Sequence, residues 1–239
     1  MNGEASMTIF LHIPKTGGTT LNRIFQRQFI NGELFDHNTL NGKARRIGTL
    51  NTIEKKKIKA VAGHYKYGVH QFFSTPHNYF TMVRNPVERV ISSYYFLLEF
   101  KGDESVNGMS LEQFVRDDPK ASNLQTKLIC GNMDSPDLKA AIKNVKDFKM
   151  VGITERFDES LYFLQKEYGW RNIHYTKENI TKKRLARKEV PDAIIKQIKI
   201  NNALDFELYR TADAWMNQRI SLLSNSEKNK LTAFKQRIN

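Results

Sequence analysis

The chain opens with a short apolar run, a glycine turn and a helical repeat. Residues Met7–Ile13 (MTIFLHI) are largely β-branched, aromatic or aliphatic, and the run ends at Pro14, as is typical of a buried strand. After Gly17 and Gly18 the apolar residues recur at helical spacing, at Leu21, Ile24, Phe25 and Phe29. The pattern predicts a strand, a turn and a helix from Thr19 onward, the opening unit of an α/β nucleotide-binding fold.

Strand and helix patterns alternate along the rest of the chain. Short apolar runs predict further strands at 60–62, 78–83, 149–154 and 173–175. Helical spacing or helix-start residues predict helices at 86–98, 110–117, 122–129, 136–145 and 157–168, and again beyond Pro191. The polar segments 31–52 and 101–108 are expected to be loops. This alternation predicts a mainly parallel sheet with helices on both faces, and a binding site at the carboxyl ends of its strands.

Composition narrows the class of protein. The 239 residues are 40% hydrophobic, which suits a packed core and excludes a disordered chain. Cys130 is the single cysteine, so an internal disulfide and a thiolate-rich metal site are excluded, and a reducing compartment is expected. No apolar run reaches the roughly 18 residues of a membrane span, and residues 1–6 lack the pattern of a secretory signal. We therefore expect a cytoplasmic protein without a transmembrane segment.

The formal net charge of +13 favours an anionic partner. The partner could be nucleic acid, membrane headgroups, an acidic glycan or a phosphorylated cofactor. The alternative is a generally basic surface with no specific partner. The densest basic segment is 176–188. It is either a solvated charge cluster or a loop that closes over a nucleotide or guides an acidic acceptor.

The first candidate site is the turn in the segment HIPKTGGTT, residues 12–20. A glycine turn at a helix N-terminus presents backbone N–H groups and the positive end of the helix dipole, here at Gly17 and Gly18. Lys15 adds a full charge, and the hydroxyls come from Thr16, Thr19 and Thr20. Together they predict a cradle for a phosphate-like group. The lysine precedes the glycines, unlike the standard P-loop, and a turn without a ligand is the alternative.

The second candidate site is the segment FTMVRNPVERVISSYYF, residues 80–96. Arg84 follows a predicted strand, and Ser92 lies about two turns into the helix that begins at Pro86. A guanidinium and a hydroxyl so placed can hold a second phosphate. The alternative is a surface ion pair between Arg84 and Glu88, with Ser92 facing solvent.

These two segments resemble the phosphate-binding motifs of the sulfotransferases, most closely the branch of the heparan sulfate 2-O- and 6-O-sulfotransferases and their bacterial relatives. The resemblance covers roughly 7–215, strongly in 9–21 and 80–98. It implies a P-loop-NTPase-like α/β fold and 3′-phosphoadenosine 5′-phosphosulfate (PAPS) as donor, with 3′,5′-ADP as product and no required metal. The 5′-phosphosulfate would lie on the turn of residues 15–20, and the 3′-phosphate on Arg84 and Ser92.

The resemblance also implies the catalytic groups. His64 directly follows Gly63 at a predicted strand end, a placement similar to that of the catalytic histidine of the 2-O-sulfotransferases. It would act as general base, while Lys15 would stabilise the leaving group. Lys15, Glu54 or a glutamate elsewhere in the chain could instead be the base, and His12 is expected to be a core or supporting residue. In the basic loop that the family places after its last strand, Asn179, Thr181 and Lys182 are the expected nucleotide contacts.

The acceptor is expected to bear a hydroxyl and to be a carbohydrate, with an acidic oligosaccharide compatible with the charge; lipid-linked sugars and small alcohols stay open. With neither anchor nor signal, a bacterial cytosolic enzyme is favoured over a Golgi one. Residues 7–223 are predicted to form the sulfotransferase domain, between an N-terminal extension or cloning remnant (1–6) and a basic C-terminal tail (224–239). The sequence does not determine the oligomeric state.

Three other functions compete with this interpretation. An ATP-dependent small-molecule kinase of related fold lacks its G-K-[ST] string here. A nucleic-acid-binding protein would explain the charge, but the sequence contains no recognised reader motif, so no specific nucleic acid is expected. A family member that binds the nucleotide without catalysing transfer is the third, and the presence of Lys15 and His64 argues against it.

Overall fold

A computed structural model of the chain describes residues 6–30, 32–36, 47–99, 106, 108–176 and 185–238. Its centre is a five-stranded sheet in the order β2-β3-β1-β4-β5. The strands are β1 (Met7–Leu11), β2 (Leu34–Asp36), β3 (Ala60–Gly63), β4 (His77–Val83) and β5 (Met150–Ile153). All neighbouring strands are parallel, so their carboxyl ends share one edge of the sheet.

Helices flank the sheet, which confirms the predicted P-loop-NTPase-like α/β fold. The described helices are α1 (Gly18–Gln26), α2 (Thr52–Lys57), α3 (Pro86–Glu99), α4 (Leu111–Asp117), α5 (Leu124–Cys130), α6 (Leu138–Lys146), α7 (Phe157–Tyr168), α8 (Asp192–Asn201), α9 (Ala203–Ser221) and α10 (Asn225–Ile238). No helix among the described residues is both long enough and apolar enough to cross a membrane.

The sheet centre is apolar because its inner strands are covered on both faces. Every residue of β1 and of β3 is buried, as expected for parallel strands between helices. Phe10 of β1 stacks on its register partner Phe80 of β4 with ring centroids 4.7 Å apart. Phe25 of α1 meets the Phe80 ring edge-on at 5.2 Å. These contacts hold α1, and hence the turn before it, against the middle of the sheet.

A second, smaller core joins α3, α4 and α8. Its buried members include Val87, Val90 and Ile91 of α3, Phe114 of α4 and Ile198 of α8. α3 begins at Pro86, shortly after β4 ends at Val83, so this core holds the first two turns of α3 near the carboxyl end of β4.

Two predictions about strands are wrong. The predicted loop 31–52 contains β2, which pairs with β3 from Leu34 opposite Ala60; three residues between polar neighbours are too short to show a period. The segment 173–175 is not a strand. There the carbonyl of His174 accepts a hydrogen bond from the Arg27 guanidinium, just after α1, at 2.6 Å. The His174 carbonyl therefore bonds to a side chain instead of to the backbone of a neighbouring strand.

Residues 225–238, within the predicted basic tail, form helix α10 against α7. Tyr162 of α7 and Phe234 of α10 meet edge-on at 5.6 Å, and Leu231 is buried. An ion pair between Lys166 and Glu227 joins the same two helices.

Candidate active site

Hydrogen bonds within the turn, and one from Thr154 outside it, hold the turn between β1 and α1 in place. Lys15 and Gly17 both have positive φ, 67° and 77°, and a Cβ on Gly17 would lie 3.4 Å from the Thr154 side chain. The buried Thr16 donates its hydroxyl to the Ile13 carbonyl at 2.8 Å. Thr154 in turn donates to the Thr16 carbonyl at 2.7 Å. The turn is therefore fixed, with the N-terminus of α1 facing the carboxyl edge of the sheet.

Gly18 is required by the histidine packed beneath it. A Cβ on Gly18 would lie 1.9 Å from Nε2 of His12, so no larger residue fits while that ring keeps its place. The pKa of His12 is lowered to about 3, chiefly by burial and also by the neighbouring His64 and Lys15. His12 is therefore a neutral, buried support of the turn.

His64 follows β3 and is exposed at the same edge of the sheet. Its Nδ1 lies 2.8 Å from the His12 carbonyl oxygen. A carbonyl can only accept, so Nδ1 carries the proton in the neutral ring and Nε2 is the basic nitrogen. The His12 and His64 rings are 4.3 Å apart. The hydrogen bond thus sets both the orientation and the tautomer that a general base needs.

Arg84, directly after β4, links the two candidate motifs. Its guanidinium donates to the Lys15 carbonyl at 3.0 Å, while Glu88 and Glu155 lie 3.8 and 3.9 Å away. Its backbone N–H and carbonyl bond to the Gln125 side chain at 2.8 and 3.0 Å. The Glu88 pair that was the alternative interpretation therefore exists, but the same guanidinium also reaches the first motif.

Ser92, two turns into α3, is 5% exposed and lines the cleft described next. The alternative in which it faces solvent is therefore wrong. The neighbouring Ser93 accepts a long hydrogen bond, 3.4 Å, from the fully buried Arg89, which helps to hold this face of α3 in place.

A cleft of about 530 Å³ brings the two motifs and His64 together. Of the residues predicted for the site, it is lined by Lys15, Gly17, Gly18, Thr19, Thr20, His64, Arg84 and Ser92. Thr16 is not among the lining residues, because its side chain is turned into the protein. Thr181 and Lys182, like Asn179, lie outside the described residues.

The position of the cleft follows from the sheet. β1 and β4 are neighbours, yet the chain leaves β1 towards β2 on one side and leaves β4 towards β5 on the other. Loops that diverge in this way open a crevice at the carboxyl edge, where ligands of α/β proteins bind.

Sequence reasoning missed several residues of this site. Thr154, at the end of β5, donates its hydroxyl towards the Thr16 and Val83 carbonyls at 2.7 and 3.0 Å, and so ties both motif loops together. Its place as the last residue of the predicted strand 149–154 was the available clue. Lys120 and Phe96 also line the cleft; no local pattern marks Lys120, and Phe96 ends the second motif, where no role was assigned to it. Within the described residues, no three His, Cys, Asp or Glu side chains are grouped as metal ligands would be.

Comparison with known proteins places this site in a family. The model of the sulfotransferase family matches residues 3–210. The chain belongs to the sulfotransferase family. This confirms the resemblance expected from the two motifs, and the matched region contains every cleft residue named above.

Among solved structures, the sulfotransferase chain aligns with the mouse sulfotransferase SULT7A1 complexed with PAP, at 13% identity and a TM-score of 0.44. The alignment covers 84% of this chain and 66% of the mouse chain, just under two thirds of that protein's length. No curated protein matches the chain.

Proposed function

We propose that the chain transfers a sulfuryl group from PAPS to the hydroxyl of an acceptor, with His64 as general base. The observation that carries the proposal is the shared cleft, since two separate anion-binding elements and a histidine of defined tautomer face the same space. A donor with phosphate groups at two positions of its ribose needs that arrangement, whereas a single phosphate needs only one such element.

The residues present suit the donor. The N-terminus of α1, at Gly17 and Gly18, offers backbone N–H groups to the 5′-phosphosulfate. Lys15 adds the full charge, and Thr19 and Thr20 add hydroxyls from the cleft wall. Arg84 and Ser92 would hold the 3′-phosphate. Thr16 contributes through the backbone, since its hydroxyl bonds to Ile13. Thr181 and Lys182 are retained as contacts of the nucleotide.

The chemistry then requires one proton acceptor and one cation. His64 Nε2 takes the proton of the acceptor hydroxyl as that oxygen forms its bond to sulfur. The bond from sulfur to the bridging oxygen breaks, and its electron pair leaves on the 5′-phosphate of 3′,5′-ADP. Lys15 and the N–H groups of the turn stabilise that charge. His64 returns its proton to solvent, and no metal is required for the charge balance.

The acceptor enters the proposal as a hydroxyl-bearing compound. A carbohydrate is the acceptor that the resemblance to the heparan sulfate branch implies, and its hydroxyl would have to approach between His64 and Lys15.

Nucleotide binding tests the donor assignment. We expect 3′,5′-ADP at about 100 times its Kd to raise the free energy of unfolding by about 2.7 kcal/mol, and Mg-ATP at the same concentration to do less. Stabilisation by Mg-ATP alone would favour a kinase, and salt-sensitive retention on DNA without a response to 3′,5′-ADP would favour a nucleic-acid binder. Labelled sulfate from PAPS should appear on a hydroxyl acceptor.

The place of the 3′-phosphate can be tested separately. Arg84→Ala should weaken 3′,5′-ADP binding about 10- to 100-fold, because a hydrogen bond to a charged group is lost, but should barely change the affinity for 5′-AMP, which lacks that phosphate. Arg210→Ala, an exposed arginine of α9 outside the cleft, is the matched control. Equal losses for both nucleotides would contradict the assignment.

A further inference from the structure

The geometry points to an acceptor whose hydroxyl is carried on an apolar body, such as a phenol or an aliphatic alcohol, held by an apolar wall of Phe96, Leu124, Leu128 and Met133. The inference rests on the proposed function, because it assigns the acceptor side of the same cleft. It departs from the carbohydrate expected from the sequence and favours the small alcohols that the sequence left open.

The wall begins at the point of transfer. Nζ of Lys15 lies 3.8 Å from the centroid of the Phe96 ring, a cation–π distance. Lys15 is the residue proposed to stabilise the leaving group. The Phe96 ring therefore stands beside the sulfuryl position itself.

The wall also reaches the base. The backbone N–H of Tyr67, three residues after His64, donates to the Leu128 carbonyl at 2.8 Å. A Cβ on Gly131 would lie 3.0 Å from the Tyr67 carbonyl oxygen, so the end of α5 packs closely on the segment that follows His64. Leu128 is consequently near the histidine that would deprotonate the acceptor.

Two members of the wall are large apolar side chains at the open side of the cleft. Phe96 is 38% and Met133 is 40% exposed, whereas Leu124 and Leu128, which line the same cleft, are buried. Pockets for small molecules combine such apolar walls with a few directed polar groups, here His64 and Lys15. An acidic sugar would have to place its charge and hydroxyls against these side chains, and burying polar groups without hydrogen bonds is unfavourable.

A homologous series of probes tests this assignment. We expect phenol, 4-methylphenol, 4-ethylphenol and 4-propylphenol to bind the protein saturated with 3′,5′-ADP with affinities that rise about two- to fourfold per added carbon. Glucose and glucuronic acid should bind far more weakly. With PAPS, kcat/KM for the same phenols should follow the same order.

Met133→Ser is the variant of choice, because Met133 is exposed in the turn after α5 and its change should not disturb the core. It should weaken 4-propylphenol binding about three- to tenfold and phenol binding less, with 3′,5′-ADP binding unchanged. Ile200→Ser removes an exposed apolar side chain from α8, outside the cleft, and should leave the whole series unchanged.

The outcomes separate the subsite from the proposed function. If 3′,5′-ADP binds but the phenols show no dependence on chain length, or the sugars bind better, the apolar subsite is wrong and the donor site stands. If Met133→Ser weakens 3′,5′-ADP rather than the phenols, the wall holds the adenine, and the subsite is again overturned. If 3′,5′-ADP does not bind the unaltered protein, the proposed function fails and the subsite falls with it.

Discussion

At the scale of single residues, the site depends on three residues that contact one another at the sheet edge, Gly18, His12 and His64. Gly18 leaves room for the His12 ring, and the His12 carbonyl orients His64. A neutral His12 adds no positive charge next to the base, because burial holds its pKa at about 3. The turn that would bind the donor and the residue that would move the proton are therefore built on one support.

Gly18→Ala should destabilise the protein and disturb the turn. The new methyl would overlap His12 Nε2, and overpacking of this kind costs about 1–3 kcal/mol of unfolding free energy. Gly48→Ala, whose methyl would lie 3.7 Å from Phe72, should change stability by less than about 0.5 kcal/mol. In a His12→Ala background the cost of Gly18→Ala should shrink, because the overlapping ring is gone. Equal costs in both backgrounds would refute the steric account. Denaturant titrations of the unaltered protein and the four variants measure these costs.

His64→Ala should abolish most of the transfer without affecting the fold. The loss of a general base lowers kcat about 10²- to 10⁴-fold, while the melting temperature and the 3′,5′-ADP affinity should stay unchanged because the side chain is exposed. His77→Ala, at the amino end of β4, is the control and should keep full turnover. A His64→Ala protein with near-normal kcat would show that another group is the base.

At the scale of elements, α5 connects the cleft to helix α9, since it bonds both to Arg84 and to Asp205. Its first N–H groups, of Gln125 and Thr126, donate to the buried Asp205 of α9 at 3.1 and 2.8 Å. Its Gln125 side chain holds both backbone polar groups of Arg84. Burial lowers the pKa of the neighbouring Arg89, and the Asp205 carboxylate acts against that shift. A single carboxylate thus serves a helix N-terminus and a buried cation together.

Asp205→Asn should destabilise the protein by about 2–4 kcal/mol, because charged hydrogen bonds to Gln125 and Thr126 are weakened and buried donors lose their acceptor. Asp213→Asn, on the same helix but in a partly exposed ion pair with Arg156, should cost less than about 1 kcal/mol. Urea denaturation compares the two. If both variants lose equally little, Asp205 is not what holds the N-terminus of α5.

At the scale of the whole molecule, histidines whose pKa is lower in the folded state make stability depend on pH. The pKa of His12 is about 3 in the folded state against 6.5 in an unfolded chain. Between those values the unfolded chain binds a proton that the folded one does not, so stability falls as the pH drops from 6.5. The pKa values of His70 and His77 are also lowered, chiefly by burial, and act in the same direction.

We expect the unfolding free energy to fall by up to about 1.4 kcal/mol per pH unit from His12 alone between about pH 6 and pH 5. Replacing it in His12→Gln removes the titrating group, so that part of the slope should disappear even if the variant is less stable at neutral pH. Chemical denaturation at several pH values gives both slopes. An unchanged slope in the variant would contradict the low pKa.

The sequence by itself determined the strand, turn and helix around Lys15, the strand and helix around Arg84, and the parallel α/β class, because each is written in local periodicity and turn chemistry. It also indicated that His64 stands at a strand end. The tertiary structure alone decided that all three open on one cleft, that Thr16 points inward, that residues 34–36 pair as a strand and that 173–175 do not. Those outcomes depend on which segments meet across the sheet edge. Contacts between residues far apart in the chain produce no periodic pattern of apolar residues in the sequence.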